Sequence, residues 1–576
     1  MSILLTYVKK YFILLVCAII LLFSQAACDL SLPDYMSDIV NQGITTGNTS
    51  YIIQVGLKML GISLVGAACS ILVGLIGSII AAGTGRSLRQ GVFTTVMDFS
   101  NAEFDYFSAS SLITRTTNDI TQIQMLVVMM IRMVIYAPIL GVGGFMHALA
   151  KSSSMSWIIG LAVAFLIALV LVLFFVAMPK FRIIQDLIDR LNRVVRENLD
   201  GMLVIRAFNT QKFEEQRFDK ANRDLTDTNL FVNRAIAAMM PLMMLVMNLI
   251  MLLVVWVGAK QVSAFKMDVG SMMAFMQYIM QIIMAFLMMS MMFILIPRAT
   301  VSANRIAEVL SATPTIRENP HPASVPKPCR GVVEFRDVSF RFPGAEEDVL
   351  RHISFTAEPG KTTALIGATG SGKSTLVTLL PRFYDVTEGQ ILVDGVDIRD
   401  WPLHELRSRI GYVPQKSMLF SGTIGSNLSY GDNGADPERL LQAADIAQAT
   451  EFIESKPEGL EATIAQGGLN VSGGQRQRLS IARALVKDPP VYILDDSFSA
   501  LDFKTDAALR AALKRQAGGS TVFLVAQRIS TIMGAEQIIV LDHGRICGIG
   551  DHRRLMGDCQ IYQEIALSQL SEEELR

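Results

Sequence analysis

The run Gly367-Ala368-Thr369-Gly370-Ser371-Gly372-Lys373-Ser374-Thr375 has the spacing G-x-x-x-x-G-K-S. It lies between an apolar, strand-like stretch (363–366) and a helical one. Glycines let successive backbone N–H groups curl around phosphate oxygens, and the following helix N-terminus adds a positive dipole end. Lys373 can reach β- and γ-phosphates, and the Ser374 hydroxyl can ligate Mg²⁺. Gly367, Thr369, Gly370, Ser371, Gly372, Lys373, Ser374 and Thr375 are therefore the expected phosphate-binding residues. Further on, the apolar run Val491-Tyr492-Ile493-Leu494 ends in Asp495-Asp496. A carboxylate at the end of such a strand can hold Mg²⁺ through water, which makes Asp495 the second metal candidate after Ser374.

Between these elements, Val471-Ser472-Gly473-Gly474-Gln475 opens a helical segment. With the phosphate loop before it and Asp495 after it, this run resembles the signature motif of ABC transporters. The resemblance spans essentially the whole chain, which looks like a half-size exporter. It implies ATP and Mg²⁺ as cofactors. Phe342 stands where an aromatic ring stacks on adenine, and Gln415 matches the glutamine that senses Mg²⁺. Ser499-Ala500-Leu501-Asp502 matches the loop that crosses to a partner domain. Ser472, Gly473, Gly474 and Gln475 are implied to clamp the ATP held by that partner. Two departures stand out. Asp496 occupies the place of the catalytic glutamate, and its carboxylate is set back by about 1.5 Å, one C–C bond. Gln527, in Leu524-Val525-Ala526-Gln527-Arg528, replaces the switch histidine and can carry neither proton nor charge. Gln466 also differs from the Glu that many exporters carry. Asp496, Gln527 and Gln415 are the expected catalytic group. Weak water activation beside an intact signature resembles the degenerate-site subunit of bacterial heterodimeric multidrug exporters. A homodimer tolerating slow chemistry is the alternative.

The elements that must carry this chemistry divide unevenly. The 576 residues are too many for one core. With 51% hydrophobic and only 18% charged residues, the composition indicates a membrane protein. A net charge of −1 argues against nucleic acid as a partner. Apolar stretches long enough for a ~30 Å hydrocarbon core fall near 11–36, 51–83, 125–150, 157–178, 235–258 and 271–296. Basic residues cluster at Lys9-Lys10, around Arg86, Arg89 and Arg115, and from Lys180 to Arg234, whereas the link around Asp34, Asp38 and 45–50 has none. By that asymmetry both termini are expected in the cytoplasm of a cell with a plasma (inner) membrane. The start superficially resembles a lipoprotein signal ending at Cys28; a retained first span is the expectation. The six cysteines show no metal-ligand spacing.

Prolines 314, 320, 322, 326 and 328 mark a linker, after which strand-like and helical runs alternate. The expected architecture is a membrane domain of six transmembrane helices with long cytoplasmic extensions (1–311), a linker (312–330) and an α/β P-loop nucleotide-binding domain (331–576). The resemblance places coupling segments at 107–113, ahead of Thr114-Arg115-Thr116-Thr117-Asn118-Asp119, and at 207–212. Spans five and six are rich in methionine, with Met273, Met276, Met280 and Met284 on one helical face, suited to an adaptable apolar cavity or to plain packing. Gln277, Gln281, Asn248, Arg132 and Lys58 are the polar candidates within spans. The expected function is ATP-driven efflux of amphipathic or hydrophobic compounds, drugs or lipids, in partnership with a second half-transporter and with membrane lipids around the spans. An importer on the same architecture, for example for metal chelates, and an ATP-binding regulatory subunit are the competing readings.

Overall fold

A computed structural model describes residues 2–516, 518–571 and 574; within its helices the side chains of residues 2–5, 170, 173, 174, 176–178, 181, 182, 240, 290, 291, 293–295, 297 and 298 are outside the description. The chain forms two compact units. One comprises Met1–Met97 and Ser110–Ala312, the other Asp98–Ala109 and Thr313–Arg576.

The first unit is all helical. A short α1 (Ser2–Lys9) precedes α2 (Phe12–Asp38), which continues through a π-helical turn to Ile44. Then come α3 (Thr49–Met97), α5 (Ala109–Thr114), α6 (Ile120–Met129), α7 (Tyr136–Lys151), α8 (Ser156–Asp200), α9 (Met202–Ala207), α10 (Gln211–Ser263) and α11 (Val269–Ser311), while α4 (Asn101–Phe107) belongs to the other unit. Among the described residues, five stretches are long and apolar enough to cross a membrane: Phe12–Ile44, Thr49–Met97, Ala109–Lys151, Gln211–Ser263 and Val269–Met289. The expected span at 157–178 falls in α8, several of whose side chains are outside the description. At ~1.5 Å per residue, the 49 residues of α3 and the 53 of α10 reach about 75–80 Å, more than twice the hydrocarbon thickness. Their polar ends therefore run on as helices in water, as their charge content requires.

One expectation about the first span is corrected. The link was expected around Asp34, Asp38 and 45–50; the helix runs past both acids despite Pro33, and the break narrows to residues 45–48. Asp29 and Asp34 are thus on a packed helix. Elsewhere in this unit, charge pairs divide by burial. Arg190–Asp224 joins the exposed parts of α8 and α10 at 3.2 Å. Asp119, by contrast, is 3% exposed, accepts from the Ser302 hydroxyl at 3.0 Å and faces Arg305 at 3.3 Å. Arg115, also buried, reaches Glu308 at 2.7 Å.

The second unit is α/β. Its main sheet has the order β12-β11-β3-β10-β9-β6, and a four-stranded antiparallel sheet has the order β2-β1-β4-β5. The strands are β1 (Val333–Phe340), β2 (Leu350–Ala357), β3 (Thr362–Gly367), β4 (Glu388–Val393), β5 (Val396–Asp397), β6 (Ile410–Val413), the minor pair β7 (Gly422–Thr423) and β8 (Thr463–Ile464), β9 (Val491–Asp495), β10 (Thr521–Val525), β11 (Gln537–Asp542) and β12 (Arg545–Gly550). From β6 to β11 the main sheet is parallel. Alternate residues of its strands feed two cores: Ala364, Ile366, Leu494 and Leu524 on one face, Leu365, Ile493, Phe523 and Val525 on the other. A sheet buried on both faces needs the near-continuous apolar strands this sequence has. Five strands fall where the sequence places them. β1, read at 332–335, is the one strand of the second sheet among them; β2, β4, β5, β6 and β12 do not announce themselves, because they are short, interrupted by glycine (Gly389, Gly411, Gly548) or mixed with polar residues.

The contrast in burial gives a first prediction. Replacing Asp119 by Ala leaves the buried Ser302 hydroxyl without its acceptor and the partly exposed Arg305 without its carboxylate, and should cost about 1–3 kcal/mol. Asp224→Ala, at an exposed pair, should cost less than about 1 kcal/mol. Thermal denaturation of the two purified variants measures both. Equal losses would mean that burial of Asp119 carries no energetic weight.

Candidate functional site

In an open parallel sheet, ligands are received at the carboxyl ends of the strands. Four adjacent strands of this sheet deliver the expected chemistry to that edge. β3 ends in the phosphate loop, β10 leads to Gln527, β9 ends in Asp495 and Asp496, and β6 leads to Gln415. The order β3-β10-β9-β6, not nearness in sequence, brings these groups together.

Glycine is required at two points of the loop. Gly372 has φ of 96°, a left-handed backbone that starts the helix Lys373–Leu379. At Gly367 a Cβ would lie 2.0 Å from the Leu541 carbonyl oxygen, so the loop could not leave β3 beside β11 with any larger residue. Lys373 is buried, and its ammonium donates to the carbonyls of Gly367 (2.9 Å) and Ala368 (2.8 Å). Burial holds it below the ordinary lysine value, against the opposing pull of Asp496 and Asp495. The Ser374 hydroxyl donates to Asp495 Oδ1 at 2.8 Å, which pairs the two expected metal ligands directly.

Asp496 is the centre of the arrangement. Its φ of 46° is left-handed, a conformation that Asp tolerates better than most residues. Both glutamines converge on one of its oxygens, Oδ2: the side-chain amide of Gln527 donates at 3.0 Å and that of Gln415 at 3.4 Å. Burial pushes the carboxyls of Asp495 and Asp496 above the usual range. The Ser374 bond opposes this at Asp495, to which Asp496 adds a like charge; the Gln415 bond and Lys373 oppose it at Asp496. A cavity of about 350 Å³ gathers Thr369, Gly370, Gly372, Lys373, Ser374, Thr375, Gln415, Asp496 and Gln527 on one wall system.

Other expected residues lie apart from it. Phe342 packs edge-on against Phe340 and Tyr384, with centroids 4.9 and 5.4 Å away. Ser472 caps the helix Gly473–Lys487: Gln475 N–H donates to its hydroxyl at 3.2 Å, and Ser472 N–H donates to the Gln475 side chain at 2.9 Å. None of Ser472, Gly473, Gly474 and Gln475 lines the phosphate cavity. Within one chain the signature therefore serves a different surface from the loop.

Several contributors escaped the sequence reading. Gln477, 4% exposed, donates to the Asp496 carbonyl at 3.1 Å and accepts from Ala500 N–H at 3.2 Å, tying the signature helix to the crossing loop. Gln569, near the C-terminus, donates to the Gln527 carbonyl at 2.9 Å and accepts from Ile529 N–H at 2.8 Å. In the membrane unit a polar network joins α2, α7 and α11. Asp34 contacts His147 at 3.1 Å and Lys151 at 3.0 Å, Asp29 accepts from the Tyr136 hydroxyl, and the Tyr278 hydroxyl donates to the Leu30 carbonyl at 3.0 Å. Gln281 joins it by donating to the Asp29 carbonyl at 3.0 Å, so it bonds between helices, while Gln277, Asn248, Arg132 and Lys58 are exposed. On the methionine face, Met280 and Met284 are exposed, whereas Met273 and Met276 are half-buried. Among the described residues no cluster of His, Cys, Asp and Glu could hold a metal alone.

Comparison with known proteins agrees with this geometry. Residues 15–286 match the ABC transporter transmembrane region and residues 350–499 the ABC transporter ATP-binding model. An uncharacterized ABC transporter ATP-binding protein of Mycobacterium tuberculosis is 41% identical over 98% of this chain and 97% of its own length. An ATP-dependent lipid A-core flippase of Pseudomonas aeruginosa is 34% identical over 86% of this chain and 81% of its own. Among solved structures, a bacterial Atm1-family ABC exporter with ATP bound superposes with a TM-score of 0.77 at 26% identity, covering 97% of this chain and 98% of that one. An ATP-binding edge on an α/β unit, joined in one polypeptide to a bundle of membrane-length helices, thus has its relatives along its whole length: the chain belongs to the ABC transporter family, as a half-size, ATP-driven exporter.

Proposed function

We propose that this chain is the slow-hydrolysing half of a heterodimeric exporter in the plasma membrane, with both termini in the cytoplasm. It binds Mg²⁺–ATP at its own loop, lends its signature helix to the site of a second half-transporter, and moves amphipathic or lipid-like compounds. The observation that carries the reading is the Asp496–Gln527 bond of 3.0 Å. It occupies the carboxylate with a neutral donor that cannot relay a proton, where the family resemblance implies a longer Glu and a His. A misplacement of about 1 Å in a reacting group can cost on the order of 10²-fold in rate.

The donor set fits Mg²⁺. Ser374, Asp495 and the Gln415 amide oxygen are hard oxygen ligands, and Mg²⁺ is commonly held by one or two protein groups plus phosphates and water. Its charge would neutralise phosphate oxygens and relieve the burial that now disfavours ionised Asp495. Lys373 would exchange its two carbonyl partners for phosphate oxygens. The capped N-terminus of helix Gly473–Lys487 would face the γ-phosphate of the partner's ATP. For the partner contact, α9 buries no side chain, and Leu203 and Phe208 are 82% and 75% exposed, as expected of a segment that docks on another subunit. The lipid-like substrate class rests on the lipid A-core flippases among the relatives and on the exposed methionines of α11.

The reading is tested by comparing halves. In the co-purified pair, Asp496→Asn should lower ATP turnover less than about threefold, since Asn keeps the left-handed backbone and removes only the base. Replacing the partner's catalytic carboxylate by an amide should lower it roughly a hundredfold. Equal losses, or brisk turnover by this chain alone as a homodimer, would overturn the asymmetry. Lys373→Ala should weaken ATP binding at this site roughly tenfold to a hundredfold, given ~1.5–3 kcal/mol for a hydrogen bond to a charged group; titration with a fluorescent ATP analogue measures it.

Asp495 supplies a pH test. Its carboxyl is raised in the fold, so between the ordinary carboxylate value and the raised one the folded state holds more proton than the unfolded state. Stability of the nucleotide-free protein should therefore fall as pH rises through that window. Asp495→Asn should remove this component and also abolish the Mg²⁺-dependent tightening of ATP. Melting curves of both proteins across acidic to neutral pH should diverge, with the variant relatively more stable at neutral pH. Parallel curves would show that Asp495 is not held in its unfavourable form.

A further inference from the structure

The segment 98–109 lies between α3 and α5, yet it packs with the ATP-binding unit. Its helix α4 has only seven residues and cannot hold its own position. Asp105 and Glu103 are among the side chains that anchor it. Asp105 accepts from the Tyr384 hydroxyl at 2.8 Å. Glu103, 8% exposed, uses both carboxylate oxygens. Oε2 accepts from the N–H of Ser100 at 2.8 Å, the glutamate's half of a capping box at the helix start, and also from the Ser100 hydroxyl. Oε1 has no part in that cap. It accepts from Thr315 N–H at 3.1 Å and from the Thr315 hydroxyl at 2.7 Å. The two hydroxyls also meet, at 2.8 Å. Burial alone would raise the Glu103 carboxyl; the bonds from Ser100 and Thr315 outweigh it and hold the group below its ordinary value, so it is ionised at neutral pH.

Thr315 is four residues beyond the end of α11. The backbone leaves the ATP-binding unit only at 97/98, 109/110 and 312/313. One carboxylate therefore fastens the turn between α3 and α5 to the start of the linker that follows α11. We propose that Glu103 is a positioning residue for transport: it makes the helix at 101–107 and the linker at Thr315 move as one body, so that displacement of the ATP-binding unit pulls α3, α5 and α11 together. A helix cap alone would need only Oε2, and a passive linker would have no reason to bring the Thr315 hydroxyl to a buried charge.

The test separates cap from staple. Thr315→Ala removes the staple hydroxyl and leaves the Ser100–Glu103 cap intact, while Glu103→Ala removes both. Each variant is placed in the full-length transporter with its partner half in lipid nanodiscs, with spin labels on the 45–48 loop of this chain and on the matching loop of the second half. ATP turnover and the label displacement driven by ATP with vanadate are measured together. The expected result for Thr315→Ala is turnover within about twofold of the parent, an unchanged melting midpoint and a severalfold smaller population of displaced labels. Glu103→Ala should show the same or a larger loss, and Thr315→Ser should behave as the parent. Full displacement in Thr315→Ala, or turnover and displacement falling in parallel, would overturn the proposal, because Glu103 would then act as a cap or as a general support of the fold. Should Glu103→Ala not fold, Thr315→Ala against Thr315→Ser decides alone.

Discussion

Two adjacent carboxylates, Asp495 and Asp496, are buried at the end of β9 beside a buried lysine. Taking such charges out of water is unfavourable unless each finds partners. The architecture of the ATP-binding edge follows from supplying them. Ser374 satisfies Asp495, two glutamine amides satisfy Asp496, and Lys373 sits between the loop carbonyls and both acids. Lys373 and Ser374 follow β3, Gln527 follows β10 and Gln415 follows β6, so the site exists only if β3, β10, β9 and β6 pair in that order. What remains unsatisfied, the raised carboxyls and the lowered ammonium, would be relieved by a triphosphate together with the proposed metal. Binding free energy is thereby built into the fold before any ligand arrives.

Much of this edge is legible in sequence, and the rest is hidden for a definite reason. The phosphate loop is a local pattern: glycines and Lys373 act within nine residues, so spacing alone reveals them. Asp495 is legible because an apolar run of strand length ends on it. The Asp496–Gln527 contact joins residues 31 apart through the pairing of β9 with β10, and no one-dimensional pattern encodes a parallel register. Gln477 and Gln569 are lost for the same reason. Glutamine carries no motif by itself, and only position in the fold makes its amide a bridge. In the second sheet β1 was legible at 332–335, whereas β5 has only two residues and β2 mixes polar residues with apolar ones, patterns shared with many loops.

In the membrane unit hydropathy locates the spans, since every backbone group must be satisfied within its own helix, but it blurs their ends. Asp34 and Asp38 were assigned to a link because the stretch around them and 45–50 has no Lys or Arg, and Asp29 drew no notice. The helix carries Asp29 and Asp34 anyway, because Tyr136, His147 and Lys151 stand opposite on α7. A tertiary partner overrides the local cost. The short helix Asn101–Phe107 shows the converse. Its start signal, Ser100 followed three residues later by Glu103, is local in sequence, and the segment expected at 107–113 falls largely on the next short helix, Ala109–Thr114.

The two departures at the catalytic edge belong together physically. Asp496 has a left-handed backbone, which favours a short polar side chain that can bond close to its own main chain. From there its carboxylate reaches Gln527 at 3.0 Å with little freedom to spare. A glutamate reaches roughly one C–C bond, about 1.5 Å, further; on this backbone it would overrun the amide that now meets the aspartate. A histidine ring at 527 would meet the shorter aspartate with a group that titrates near neutrality, and the proton count of the site would vary with pH. Asp with Gln gives instead a pair whose hydrogen bond needs no protonation change at 527 and whose geometry closes at short range. On the proposed asymmetric reading, such a pair would suit holding ATP in place better than turning it over.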